Sequence, residues 1–402
     1  MAVTATRAEG GSHQLLLTIA AVACAFTPLD DLYKMATAPE PLYPDFFGLW
    51  TFGRYLLSHA PGSIYDGHGL LDYQVGLGVR PGSDYPFHYP PWILLLLAPF
   101  GALPYPIALG AWLLLTFAAY VAALAAWRWP WPVLGLLLTA PATAVCAIVG
   151  QNGFATGALL LGGLRLLRVR PLLAGALLGS MVIKPQLAVM VPFVLLLGKH
   201  WRAMAGACLS VAVLTLAATL AFGPGIWGAW LDYMRGHAAA LSEGHQVLLE
   251  MMPTVTSAVL LLGGGTTTAR LIQVAAVLAG LLAVWRVRAD DGPESLAAVT
   301  LATILATPYA FHYDLPAVTG ALLAVIAARM AGTGGFRPLE FPVLLACVLM
   351  SMILPARLGA LAAVVPATFA VGLWLICRVA ASPTASDGTA LLAFGRQARV
   401  PK

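Results

Sequence analysis

Five short polar clusters interrupt a chain that is otherwise poor in such residues. Asp45 precedes an aromatic-rich stretch. His88 and Tyr89 stand before Pro90-Pro91, Gln151-Asn152 follow Gly150, Lys184-Pro185-Gln186 divides a long apolar run, and His312-Tyr313-Asp314 precedes another. Together they supply carboxylates, an ammonium, amides, phenols and imidazoles. At membrane depth such groups are expensive, and by default they mark substrate pathways or reaction centres. Lys184 carries the strongest signal, because a cation there costs about 2.5–3.5 kcal/mol unless it is paired or hydrated. On sequence alone, Lys184→Met should leave a folded chain with an insertion cost removed. The other residues have plainer roles open to them. Asp45 can cap a helix starting at Phe46, and Pro90-Pro91 can start one. Gln151-Asn152 is ordinary turn chemistry. Asp314 can cap a helix over 315–329, with His312 facing water.

The scaffold that must position these residues is a membrane one. Of the 402 residues 60% are hydrophobic and 10% charged, against about 25% charged in soluble proteins. The apolar residues come in blocks, from 14–29 through 106–127, 131–149 and 203–222 to 358–378, and a span needs about 20 mostly apolar residues. Spans must be helical, because lipid offers backbone groups no partner. The first block reads as a retained helix rather than a secretory signal. The five cysteines lie in apolar blocks with no CxxC pair and read as small core residues.

Lys and Arg favour the cytoplasmic side of short loops. The basic clusters are Arg165/Arg168/Arg170, Lys199/Arg202, Arg286/Arg288, Arg329/Arg337 and Arg378/Arg396/Arg399/Lys402. Placing these inside with Arg7 and Arg128 puts most of the 22 basic residues in and most of the 17 acidic residues out. The net charge of +5 is then loop asymmetry, not a sign of nucleic-acid binding. The arrangement predicts an all-α polytopic bundle of about twelve crossings, with both termini in the cytoplasm. It treats 91–103 and 254–264 as short dipping or surface segments and breaks 172–198 at Lys184-Pro185, where proline disfavours helix. Outer segments 30–105 and 223–267 carry stretches with interfacial aromatics (Phe46, Trp50 and Tyr55; Trp227, Trp230 and Tyr233), expected to lie along the membrane surface. Residues 1–380 form one membrane domain, and 381–402 reads as a disordered cytoplasmic tail. On this topology all five polar clusters gather at the outer face, a convergence that follows from the basic clusters, which none of these polar residues was used to place.

Several chemistries are not encoded. There is no GxxxxGK[ST] and no HExxH, and Gly76-x-Gly78-x-x-x-Gly82 has the wrong spacing for a dinucleotide loop. No Asp-x-Asp is present to hold a metal on a nucleotide sugar. No metal site or cofactor is therefore expected, and no cytoplasmic loop is large enough for a nucleotide site. A co-substrate would arrive through the bilayer.

At these residues the chain resembles the family-87 glycosyltransferases, membrane enzymes of the C-type (GT-C) fold that include polyprenyl-phosphate-mannose-dependent mannosyltransferases. The matching series is Asp45-Phe46, Gly62-x-x-Tyr65-Asp66, Tyr89-Pro90-Pro91, Gly150-Gln151-Asn152, Lys184-Pro185-Gln186, then Pro308-Tyr309 with Tyr313-Asp314. The resemblance implies transfer of a hexose, mannose for example, from a polyprenyl-phosphate carrier to a hydroxyl of a lipid or glycan acceptor. Transfer would invert the anomeric centre, on the outer face of the inner (plasma) membrane. It implies Asp45 as catalytic base, Lys184 and His312 on the donor phosphate, and His88, Tyr89, Gln151, Asn152, Gln186, Tyr313 and Asp314 around sugar and acceptor. The alternative is a transporter or flippase of lipid-linked sugars, since polar residues at broken helices also mark translocation sites. Against it, the chain has no two-fold repeat.

Overall fold

The computed structural model describes residues 2–37, 44–80, 85–125, 129–242, 246–287, 292–332, 335–356 and 358–380. Arg128, Arg288, Arg396, Arg399, Lys402 and the expected 381–402 tail lie outside the described residues. All regular secondary structure among the described residues is helical, with no strand among them, as lipid demands of a chain this apolar.

Four helices are long and apolar enough to cross a membrane: Tyr105–Leu124, Trp201–Phe222, Thr266–Val287 and Gly359–Arg378. A fifth candidate is the pair Trp131–Thr139 and Pro141–Val149, bent by 40° where Pro141 interrupts the ladder. These helices show lipid-facing sides: Leu209, Val213, Leu216 and Leu220 on one, Leu271, Val274 and Leu278 on another, are all exposed. In water such surfaces would be an aggregation hazard. About twelve full crossings is not the count that helix length gives. The other apolar helices run 10–17 residues, because prolines and 3-10 turns cut the apolar blocks shorter than they look in sequence. Trp92–Gly101 and Val255–Leu261 are short helices. Pro293–Ala306 and Pro316–Ala331 are short but buried almost all round, and they form the centre of the bundle.

Helix directions follow from which residues touch. Gly153 lies against Tyr313 and Gly157 against Ala317, so Gly153–Leu166 and Pro316–Ala331 run parallel. Gly157 also meets Tyr120, and Gly162 meets Ala123, so Tyr105–Leu124 runs the same way. Further along, Gly175 meets Ala203, Gly179 meets Ala207, and Ser180 bonds Ser210 at 3.1 Å. Pro171–Gly179 and Trp201–Phe222 are therefore also parallel, and the intervening segment must carry the chain back. Its break is at Lys184, extended (φ −146°, ψ 71°) between 3-10 turns Ser180–Ile183 and Pro185–Ala188.

The outer aromatics differ from expectation. Nine of the ten residues of Phe46–Tyr55 are buried, so this helix packs within the protein and does not present its aromatics to lipid. It sits under the Trp92–Gly101 helix inside an aromatic core with Phe87, Trp112 and Tyr233. Five of its ten residues are aromatic (Phe46, Phe47, Trp50, Phe52 and Tyr55) and spread around the helix, and the intervening Gly48 and Gly53 are small, so both faces can pack. Gly225–Ser242 is two-faced: Ile226 and Tyr233 are buried and Leu231 is exposed.

Candidate active site

Four chain turns meet at one end of the bundle. The first is the start of Phe46–Tyr55, where Asp45 holds the N-cap position without a side-chain cap bond. Its carboxylate turns instead to Gln151, whose Nε2 donates to Oδ2 at 3.2 Å. The capping role open to Asp45 in sequence is thus not the one it plays. The second turn is 149–153, which needs its glycines. Gly150 is left-handed (φ 67°), and a Cβ there would stand 2.6 Å from the Cβ of Phe46. A Cβ on Gly153 would be 1.9 Å from the Tyr313 carbonyl oxygen. These two positions let the turn touch both Phe46 and the third turn, 312–314. The fourth is the break at Lys184.

Across these turns runs an ordered chain of hydrogen bonds. Lys184 Nζ donates to Asn152 Oδ1 at 3.1 Å, and Asn152 Nδ2 donates to the Tyr89 hydroxyl at 3.3 Å. Tyr89 donates to Gln151 Oε1 at 3.4 Å, and Gln151 donates on to Asp45. An ammonium can only donate and a carboxylate only accept, so the two ends fix both amide orientations. Every donation points from the cation toward Asp45, and the links polarise one another. Lys184 also pairs with Asp314 Oδ1 at 2.5 Å, both side chains being buried, while Asp314 Oδ2 accepts from the Phe311 N–H at 3.0 Å. The Tyr313 ring lies 5.0 Å from the ammonium. The pairing answers the insertion cost that the sequence assigned to Lys184 and reverses the expected effect of Lys184→Met.

Burial pushes the Asp45 carboxyl above the usual carboxylate range, opposed by the Gln151 bond and the charge of Lys184. Burial likewise raises the Tyr89 phenol, which stays protonated and able to donate.

The remaining candidates flank this network. His312 is buried, and its backbone N–H and Nδ1 both face the Met251 carbonyl, at 3.1 and 3.3 Å. With that bond Nδ1 carries the proton, so in a neutral ring Nε2 can only accept. His88 Nδ1 meets the Tyr233 hydroxyl at 2.6 Å, joining the two outer segments. Gln186 is half-buried one residue past Pro185 and has no part in the chain of bonds. Asp66, part of the motif series, caps Gly67–Gly76 through His68.

Sequence reasoning missed the supports. Tyr65 donates to the Tyr89 carbonyl at 2.9 Å. Gln74 clamps Tyr85, accepting from its N–H at 2.9 Å and donating to its carbonyl at 3.0 Å. Both fix the 85–89 strand of chain that presents Tyr89. Tyr65 had a signal, since it belongs to the motif series. Gln74 had none beyond being an amide among apolar neighbours.

Comparison with curated proteins finds no match, and neither does comparison with solved structures. The model of glycosyltransferase family 87 matches residues 87–308, just over half of the chain. That stretch holds Tyr89, Gln151, Asn152 and Lys184, whereas Asp45 and 312–314 lie outside it. The protein belongs to glycosyltransferase family 87 and is a membrane glycosyltransferase.

Proposed function

We propose that the protein moves a hexose from a polyprenyl-phosphate carrier to a hydroxyl of a lipid or glycan acceptor, with inversion, at the end of the bundle where the four turns meet. The observation that carries this reading is the Asp45 carboxylate, uncommitted to its helix and joined by a one-way chain of hydrogen bonds to a buried ammonium. Asp45 takes the acceptor's hydroxyl proton as the acceptor oxygen bonds to the anomeric carbon. The bond from that carbon to the phosphate oxygen breaks, and the electron pair leaves with the polyprenyl phosphate.

The leaving charge needs donors held in place beforehand. Lys184 has three N–H groups. Two are engaged by Asn152 and Asp314, and the third suits a phosphate oxygen. Because Asp314 neutralises it, Lys184 acts as a fixed donor rather than a bare cation. Helices Gly153–Leu166 and Pro316–Ala331 both begin here, so their positive dipole ends add to the field felt by an anion. His312, held by the Met251 carbonyl, is the second residue assigned to the donor phosphate. His88, Tyr89, Gln151, Asn152, Gln186, Tyr313 and Asp314 are assigned to sugar and acceptor.

The outward orientation rests on the same two helices. They start at the site and carry Arg165 and Arg329 in their last turns, about 18 and 20 Å along the axis at 1.5 Å per residue. The positive-inside rule assigns that far end to the cytoplasm.

Asp45→Asn tests the base directly. Turnover should fall about a hundred- to ten-thousand-fold, with folding and donor binding retained. An active Asp45→Asn enzyme would remove the role.

A further inference from the structure

A second feature lies away from this network. A groove of about 550 Å³ opens between Val255–Leu261, Thr266–Val287 and the Gly359–Arg378 span. This is within the about 300–1,000 Å³ typical of ligand sites. Its floor is made of small residues, among them Ala276, Ala279 and Ala367, and its rims of larger apolar ones such as Ile272 and Trp374. Arg286 is the one charged residue in the lining among the described residues. From Ile272 to Arg286 the groove follows its helix for about 21 Å at 1.5 Å per residue.

The cations are confined to one end. Gln273 Nε2 donates to the Leu305 and Ala306 carbonyls at 2.9 and 2.8 Å, and Gly280 meets Ala302. Thr266–Val287 therefore runs antiparallel to Pro293–Ala306, away from the 312–314 turn. Arg286 lies at the far end of the groove, beside Cys377, and the guanidinium of Arg378 stacks on the lining Trp374 at 4.6 Å. Both arginines are exposed.

We propose that the groove binds an anionic phospholipid from the leaflet on the Arg286 side, with one acyl chain along the alanine floor and the headgroup phosphate between Arg286 and Arg378. The apolar trough accounts for the chain, and paired cations at a single end account for the charge. The lipid-phosphate donor is a poor occupant, because its phosphate belongs at Lys184, at the opposite end of the bundle. That exclusion of the donor rests on the proposed function, whereas the groove and its arginines do not.

The test is native mass spectrometry of the full chain in detergent, titrated with phosphatidylglycerol and phosphatidylcholine. Wild type should retain phosphatidylglycerol in preference. Each arginine contributes about fivefold near a membrane surface, so Arg286→Gln/Arg378→Gln should weaken retention about thirty-fold. Ala279→Phe, which leaves both charges and fills the floor, should also abolish retention. Equal retention of the two lipids by wild type would overturn the proposal. So would unchanged phosphatidylglycerol retention in either variant.

Discussion

Lys184→Met separates the structure-based account from the sequence-based one by the sign of its effect. Lys184 Nζ is 2.5 Å from Asp314 Oδ1, with side-chain exposures of 4% and 0%. Removing the ammonium leaves a buried carboxylate still bonded to the Phe311 N–H but facing no cation. Breaking one side of a buried pair typically costs about 3–5 kcal/mol. Lys184→Met/Asp314→Asn removes both charges while the Asn oxygen can still accept from Phe311, so most of that loss should be recovered. Unfolding of the three proteins in the same detergent, followed by thermal melting or denaturant titration, measures both effects. Donor binding then divides structure from function: if Lys184 holds the phosphate, the double variant is stable yet binds donor weakly. A Lys184→Met protein as stable as wild type would refute the pairing. A double variant no more stable than the single one would refute the assigned cause.

Gln151→Leu deletes a donor to a charged carboxylate, an interaction worth about 1.5–3 kcal/mol. Asp45 works as a base only when ionised, so the acid limb of the pH–rate profile should move to higher pH, and activity on that limb should fall about ten- to a hundred-fold; an unmoved limb would detach Gln151 from Asp45. The raised Asp45 also favours its neutral form in the fold. Its contribution to stability is therefore present below the ordinary carboxylate value and lost as pH rises through the raised one, a slope that Asp45→Asn should abolish in pH-dependent melting. Gly153→Ala forces a methyl to within 1.9 Å of the Tyr313 carbonyl oxygen, so it should cost about 1–3 kcal/mol and lower turnover by moving 312–314 from Asn152. Wild-type stability in that variant would count against the close contact. Reporter fusions between residues 60 and 80 should read outside and fusions after residue 380 inside; the reverse would turn the site to the cytoplasm.

The membrane class, the all-helical fold and the identity of the polar residues were legible in sequence because each leaves a local trace. Apolar blocks imply helices, and a lone lysine in an apolar run is conspicuous. The break at Lys184-Pro185 was legible for the same reason, since proline acts on its own neighbours. Partnership was not legible. Nothing in the spacing says that Lys184 meets Asp314, 130 residues on, or that Asp45 turns from its own helix to Gln151, because those contacts depend on which glycines let turns approach. Helix length gives fewer long spans than the apolar blocks suggest, for a related reason. Hydropathy does not register that Pro141 bends one block or that 3-10 turns shorten another. The Phe46–Tyr55 helix was placed on the surface because its aromatics resemble an interfacial face, when they are the core of a protein-covered layer.

The most direct test of the central claim is product analysis with purified protein, supplied either with a polyprenyl-phosphate hexose or with the matching nucleotide sugar, each with a glycolipid acceptor and with or without chelator. The account predicts hexose transfer from the lipid-phosphate donor alone, unaffected by chelator and lost in Asp45→Asn. Transfer from the nucleotide sugar, or undiminished product from Asp45→Asn, would contradict it.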